Sequence, residues 1–132
     1  MKSLILPSLL LMTASVIAQE TALTIDRAVT NSLQLSFPND KNIKPKASDF
    51  NIVNYVLMSN EEGERWAVVT LHNTASGSRS FEQEHLMALF ADGSRRSPLE
   101  YKLNFSGDEV QSMTLNFGEN NFPILAIYAS DK

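Results

Sequence analysis

Residues 112–117 read SMTLNF, with a polar side chain before every apolar one. The same alternation is clearest in residues 99–105, which read LEYKLNF, and it occurs again at residues 33–37. A period of two is typical of a β-strand that buries one face, because successive side chains of a strand point to opposite sides. The sequence therefore predicts a chain built from strands.

Three further runs, residues 50–58, 66–73 and 122–129, are apolar on both faces, as central strands are. Between the runs lie residues that tolerate a positive φ and so suit turns. These turn residues are Glu62-Gly63, Ser76-Gly77, Asp92-Gly93, Gly107-Asp108 and Gly118-Glu119. About seven to eight short strands separated by turns predict an all-β antiparallel sandwich or barrel.

Residues 80–93 fit two kinds of secondary structure. Ser80 and Gln83 suit a helix capping box, and Gly93 suits a helix C-cap. Residues 86–90 are apolar all round, however, which suits a buried strand equally well. We predict a strand over residues 82–90, because neighbouring strands of a meander need a partner here, and a helix is the alternative.

The order of these segments resembles an immunoglobulin-like sandwich of bacterial exported proteins. The resemblance rests on residues 68–74, on residues 86–90 closed by Asp92-Gly93, and on residues 112–117. It covers roughly residues 66–129. It implies an antiparallel sandwich that serves as a binding or assembly module. The Cys-Trp-Cys core of antibody domains is absent, so the resemblance assigns no functional residue.

Residues 1–18 have the order of a secretory signal peptide. Lys2 gives a positive start, residues 4–12 form a short apolar middle, and Val16 and Ala18 suit the two small-residue positions of a cleavage site. We expect cleavage after Ala18, which leaves residues 19–132 as one domain. The mature protein is therefore expected to be periplasmic or secreted.

Composition narrows the possible partners. The chain has no cysteine and a net charge of −4, which becomes one unit more negative when Lys2 is removed. Small exported eukaryotic domains usually carry disulfides, so this composition indicates a bacterial protein. An acidic domain is not expected to bind nucleic acid, and no second apolar run is long enough for a membrane helix. The expected partner is another envelope protein, without membrane insertion after signal cleavage.

Candidate catalytic and metal-binding residues are few. His72 ends one predicted strand and His85 lies in the next segment, so the two could approach each other across an antiparallel pair. A metal site needs about three convergent donors, and no third donor is forced by the spacing. Residues 76–78 read SGS and lack a nucleophile elbow. We predict no catalytic residue, no metal site, no cofactor and no enzymatic activity.

Charged loops form the predicted binding surface. If the strands from Trp66 onward make a simple meander, alternate loops meet at one end of the domain. The residues expected to bind a partner there are Glu61, Glu62, Arg95, Arg96 and Glu119. Loops at one pole of a rigid sandwich commonly carry recognition, and a solvated, self-paired rim is the alternative.

The predicted function is a non-catalytic protein-binding or envelope-assembly module. One alternative is a periplasmic inhibitor of a basic hydrolase such as lysozyme, since acidic charge would steer the two proteins together. Another is a carbohydrate-binding module, which needs coplanar exposed aromatic rings. The candidate rings are Trp66, Tyr55, Tyr101 and Tyr128, whose apolar neighbours favour core packing instead.

Overall fold

A computed structural model of the chain describes residues 22–30 and 43–132. In these ranges it contains eleven β-strands, one 3-10 helix (Gln83–His85) and no α-helix, which confirms the prediction of an all-β chain. The strands are β1 (Thr24–Thr30), β2 (Ala47–Ser48), β3 (Phe50–Ser59), β4 (Glu64–Asn73), β5 (Arg79–Glu82), β6 (Met87–Phe90), β7 (Arg95–Arg96), β8 (Lys102–Phe105), β9 (Val110–Glu119), β10 (Ile124–Tyr128) and β11 (Ser130–Asp131). The signal peptide at residues 1–18 and the alternating run at residues 33–37 lie outside the described residues. No helix in the described part of the chain is long and apolar enough to cross a membrane.

The largest sheet has four antiparallel strands in the order β1-β3-β4-β9. One of its faces is buried, and residues of β3, β4 and β9 supply most of it, together with Val29 of β1. Met113, Leu115 and Phe117 of β9 are at most 4 % exposed, whereas the intervening Ser112 and Thr114 are exposed. The one-face burial predicted for residues 112–117 is therefore confirmed.

Smaller sheets cover that buried face. Strands β10, β6 and β7 form a three-stranded antiparallel sheet, β5 pairs with β8 antiparallel, and β2 pairs with β11 in parallel. Their inner side chains join those of the four-stranded sheet in a single hydrophobic core. Five phenylalanines, each at most 2 % exposed, form its bulk: Phe50, Phe81, Phe90, Phe105 and Phe117.

The predicted meander from Trp66 onward is wrong. Strand β4 lies between β3 and β9, and the chain leaves that sheet at residue 74 to form β5 beside β8. The fully buried Asn73 fixes this crossover, because its amide donates to the carbonyl oxygens of Gly77 and Ser106 at 3.0 and 2.9 Å. Gly107 packs so closely there that a Cβ would lie 2.0 Å from the Ser76 oxygen. Residues 76–77 therefore belong to a loop between sheets and not to a hairpin.

The prediction for residues 82–90 is correct only in part. Strand β6 covers Met87–Phe90, and β5 ends at Glu82, but a single 3-10 turn separates them. Glu82 and His85 cap this turn reciprocally, since each side chain accepts the other's backbone N–H. The capping signal in the sequence was real, but it closes one turn and starts at Glu82 instead of Ser80.

The strand predicted over residues 99–105 is shorter than its alternation suggests. Only Lys102–Phe105 is a strand, and Leu99 is 54 % exposed. The N–H of Leu99 donates to the Asn116 oxygen at 2.7 Å, so this segment runs beside the edge strand β9 before β8 begins. Phe105, at 1 % exposed, is the one side chain of the predicted apolar face that is fully buried.

Candidate functional site

Two loops meet at one end of the four-stranded sheet, and we call residues 60–63 and 118–122 together the loop pole. The Asn120 N–H donates to the Gly63 oxygen at 3.1 Å. Arg65 strengthens the junction, since its Nε donates to the Asn120 oxygen at 3.1 Å and its Nη2 to the Asn121 oxygen at 3.5 Å. The two loops therefore form one surface with a fixed backbone.

Side chains beneath the loop pole hold its backbone in place. The Asn60 Oδ1 accepts the N–H groups of Glu62 and Glu64 at 3.1 and 3.0 Å. The Glu64 carboxylate in turn accepts the amide groups of Asn60 and Asn116 at 3.1 and 3.2 Å. The Asn60 hydrogen bond, followed by that of Asn116, lowers the pKa of Glu64 from its ordinary value against the opposing effect of burial. Both oxygens of Glu64 are thus engaged inside the protein.

Four of the five predicted binding residues lie at or beside the loop pole. Glu61, Glu62 and Glu119 are exposed there. Arg96 reaches the pole from β7, since its Nη1 donates to the oxygens of Phe117 and Glu119 at 2.9 and 3.0 Å. The acidic side chains therefore face solvent, whereas the exposed Arg96 side chain uses its guanidinium to join β7 to β9.

Arg95 points elsewhere. Its Nη1 donates to the Tyr128 hydroxyl at 2.9 Å, and its guanidinium lies 5.4 Å from the centre of the same ring. The Tyr128 hydroxyl donates onward to the Ile43 oxygen at 3.1 Å. Because neighbouring residues of a strand project to opposite sides, Arg95 and Arg96 could not both reach the loop pole.

Two exposed apolar side chains, Phe122 in the loop pole and Leu99 near it, were not among the predicted binding residues. Phe122 is 47 % exposed, and its N–H donates to the Asn120 Oδ1 at 2.9 Å. Leu99 is 54 % exposed and is joined to Asn116 through the backbone. Both were assigned to strands from their apolar character. Pro123 and Pro98, which supply no backbone N–H, were the available signals that the strands start later.

The two histidines do not come together. His72 lies on the outer face of the four-stranded sheet, where its Nε2 is 2.6 Å from the Asp108 carboxylate. His85 is 7 % exposed and packs inside, with its ring centre 5.6 Å from that of Phe50 and 5.9 Å from that of Phe81. Within residues 22–30 and 43–132, no group of three or more His, Asp or Glu side chains is placed to hold a metal ion.

His85 lines a cleft of about 270 Å³ at the end of the sheet where β3 begins. The Glu82 N–H donates to the His85 Nδ1 at 3.0 Å. Burial, followed by the charge of Lys46, lowers the pKa of His85 from its ordinary value. We call this the His85 cleft. No sequence pattern indicates this cleft, because its residues come from distant segments: positions 46–50, β5, the 3-10 turn and Lys132.

Asp49 organises the mouth of the His85 cleft. Its Oδ2 accepts the Arg79 Nε at 3.0 Å and the Lys132 Nζ at 3.2 Å. The Arg79 hydrogen bond and then that of Lys132 lower the pKa of this carboxyl, so it is ionised throughout the physiological range. Its backbone oxygen also accepts the N–H of Thr74 at 2.9 Å. The position of the two cations therefore depends on a carboxylate that is itself fixed.

The aromatic rings considered for sugar stacking do not share a surface. Tyr55 is 5 % exposed, and burial raises the pKa of its hydroxyl. Tyr101 packs against the core, and Tyr128 is held by Arg95. Trp66 is half-buried on β4. Among the described residues these four rings therefore form no common platform.

Comparison with known proteins returned no relative: no family model, no curated protein and no solved structure matches the chain.

Proposed function

We propose that the chain is a non-catalytic, immunoglobulin-like binding module that acts in the periplasm or after secretion from a bacterium, with another envelope protein as its partner. The observation that carries the proposal is the construction of the loop pole. Its backbone is fixed by internal hydrogen bonds, while Glu61, Glu62 and Glu119 remain exposed. A rigid surface with exposed charges is pre-organised for recognition, since binding orders few additional groups.

The chemistry of the loop pole indicates the kind of surface that fits it. The loop pole carries three exposed carboxylates and the exposed ring of Phe122, which can anchor in an apolar pocket. Aromatic anchors with a charged rim are the usual composition of an interface. A partner with basic side chains around an apolar pocket satisfies both, and the net charge of −4 would steer it.

The same acidic pole favours one alternative, an inhibitor of a basic hydrolase such as lysozyme. The two functions differ in what the partner loses. An inhibitor abolishes the partner's activity at a one-to-one ratio, whereas an assembly module leaves an enzymatic partner active. A lysis assay with lysozyme and the mature domain therefore separates them.

The test uses two charge-reversal variants that carry the same change in net charge. One replaces the pole carboxylates (Glu61→Lys, Glu62→Lys and Glu119→Lys), and the control replaces three exposed carboxylates elsewhere (Glu84→Lys, Glu100→Lys and Asp131→Lys). The wild-type domain is used to capture and identify a partner from envelope extract, and calorimetry then gives the Kd of each variant for that purified partner.

We expect the pole variant to bind at least about tenfold more weakly than the control, with a difference that shrinks at high salt. A Phe122→Ala variant should weaken binding as well. Equal Kd values for the two charge-reversal variants would assign recognition to another surface.

A further inference from the structure

We propose that the His85 cleft binds an oxyanion, the carboxylate, phosphate or sulfate group of a small ligand. The cleft lies at the opposite end of β3 from the loop pole, and this proposal does not depend on the function assigned to the pole. Lys46, Arg79 and Lys132 line it against two carboxylates, Asp49 and Glu82, in a chain whose net charge is −4. The cleft is thus an exception to the acidic character of the chain.

His85 contributes a buried donor with no protein acceptor. Because its Nδ1 accepts the Glu82 N–H, the neutral ring carries its proton on Nε2. No hydrogen bond joins this Nε2 to the described residues. Among them, Trp66 Nε1 is the side-chain atom that is both fully enclosed and without a hydrogen bond, so His85 Nε2 is not enclosed in this way. His85 lines the cleft, so this Nε2–H opens into it. This proton is therefore available to an acceptor that enters the cleft.

Ser48 adds a second buried donor on the cleft wall. It is 6 % exposed, and its Oγ accepts the Phe50 N–H at 3.3 Å. Among the described residues its own hydroxyl proton has no acceptor. Two polar side chains, each more than nine-tenths buried, therefore line one cleft with protons to donate.

Each carboxylate of the cleft already accepts hydrogen bonds from the protein, whereas several donors of the cleft keep protons that no described residue accepts. The Asp49 carboxylate holds Arg79 and Lys132, and the Glu82 carboxylate accepts the His85 backbone N–H. Arg79 uses Nε on Asp49 and Nη1 on the Ser78 oxygen, which leaves the protons of Nη2. Lys132 keeps two ammonium protons.

Spare donors around a cavity select a ligand that supplies acceptors and negative charge. Carboxylate, phosphate and sulfate groups do so, and charge-assisted hydrogen bonds to them are the stronger kind. A neutral sugar would leave the excess of positive charge in the cleft uncompensated, and a cation would meet Lys46, Arg79 and Lys132. At about 270 Å³ the cleft suits a small group or the charged end of a larger ligand.

The test follows His85 by NMR, with His72 as an internal reference on the outer face of the sheet. The ring resonances are assigned with a His72→Gln variant and recorded across pH with sodium sulfate, sodium acetate or sodium chloride at equal ionic strength. Sulfate keeps its charge over this range, so the titration reports the protein alone. We expect sulfate, acetate or both to shift the His85 titration to higher pH and to leave His72 where chloride leaves it.

Two exposed cations test the assignment without disturbing the core. Lys46→Gln and Arg79→Gln should each weaken the response about tenfold in ligand concentration, whereas the control Arg27→Gln, whose guanidinium bonds Leu125 elsewhere, should not. A response to acetate alone identifies a carboxylate ligand, and a response to sulfate alone identifies a tetrahedral one. A His85 titration that neither anion shifts beyond the chloride control, or that shifts equally in Lys46→Gln and wild type, would overturn the proposal.

Discussion

At the scale of single residues, Asn73 determines the path of the chain more than any apolar side chain does. It is fully buried, donates to Gly77 and Ser106, and accepts the Ala75 N–H at 3.1 Å. One amide therefore satisfies three backbone groups in two loops that are distant in sequence. Asparagine suits this position because its short side chain ends in an amide with two N–H donors and an acceptor oxygen, as the three backbone groups require.

Asn73→Ala should lower the free energy of unfolding by about 2–4 kcal/mol, since it leaves buried backbone groups without partners. Urea denaturation followed by tryptophan fluorescence measures this. The matched control is Asn104→Ala, where an exposed amide bonds Ser80 on the surface and a change within about 0.5 kcal/mol is expected. Equal losses in the two variants would show that Asn73 does not anchor the crossover.

At the scale of strands, residues 99–105 show that an alternating sequence pattern does not by itself mean burial. Phe105→Ala should cost about 3–5 kcal/mol of stability, because Phe105 is 1 % exposed and its ring packs 5.0 Å from that of Phe50. Leu99→Ala should change stability by no more than about 0.5 kcal/mol. Chemical denaturation of both variants measures the contrast, and a large loss at Leu99 would mean that residues 99–105 form one strand after all.

The strand pattern was predictable where alternation coincides with burial and was misleading elsewhere. In residues 112–117 every apolar residue faces the core, so the period of two and the structure agree. In residues 99–105 the period continues past the strand, because Leu99 hydrogen-bonds beside β9 instead of entering the core. Periodicity describes a local pattern, whereas the length of a strand depends on which partner is within reach.

The two candidate sites also differ in how far the sequence predicts them. The loops of the pole are marked in the sequence by turn residues and charge, so Glu61, Glu62 and Glu119 could be selected from it. The predicted reason, a meander, is wrong, and the loops meet because β4 lies between β3 and β9. The His85 cleft combines residues from positions 46 to 132, and no spacing along the chain indicates such a set.

At the scale of the whole molecule, two chemically different ends are separated by the length of the sheet. Strand β3 runs from Phe50 at the His85 cleft to Ser59 at the loop pole, ten residues that span roughly 30 Å. The pole presents carboxylates and the cleft presents donors, so the two proposed sites would bind groups of opposite charge at once.

Export is the whole-molecule prediction that rests on sequence alone. Val16 and Ala18 fit the cleavage positions of a signal peptide, so mass spectrometry of protein recovered from outside the cytoplasm should find Gln19 as the first residue. An Ala18→Arg variant should block cleavage, and Ala22→Arg is its control. Recovery of intact Met1 on exported wild-type protein would mean that residues 1–18 act as an anchor.

The protonation of His85 in its cleft should make the stability of the whole protein depend on pH. Burial and then the charge of Lys46 favour the neutral form of the His85 ring and lower its pKa, and the charge of Lys132 adds a smaller effect in the same direction. The charges of Glu82 and Glu84 oppose this shift less strongly. The folded-state pKa of His85 therefore lies below its unfolded value of about 6.5. The neutral His85 ring therefore contributes fully to the free energy of unfolding above about pH 6.5. This contribution is lost as the pH falls towards the folded-state pKa, because the unfolded chain takes up the proton first.

Urea denaturation between about pH 7 and about pH 5 should thus show falling stability, in a range above the titration of most carboxyl groups. His85→Asn keeps an acceptor near the Glu82 N–H but does not titrate, so its stability should decline less over that interval. The control His72→Asn keeps His85, so its stability should still fall between about pH 7 and about pH 5. If His85→Asn and wild type decline in parallel, the buried ring does not link protonation to unfolding, and the loss must come from groups on the surface.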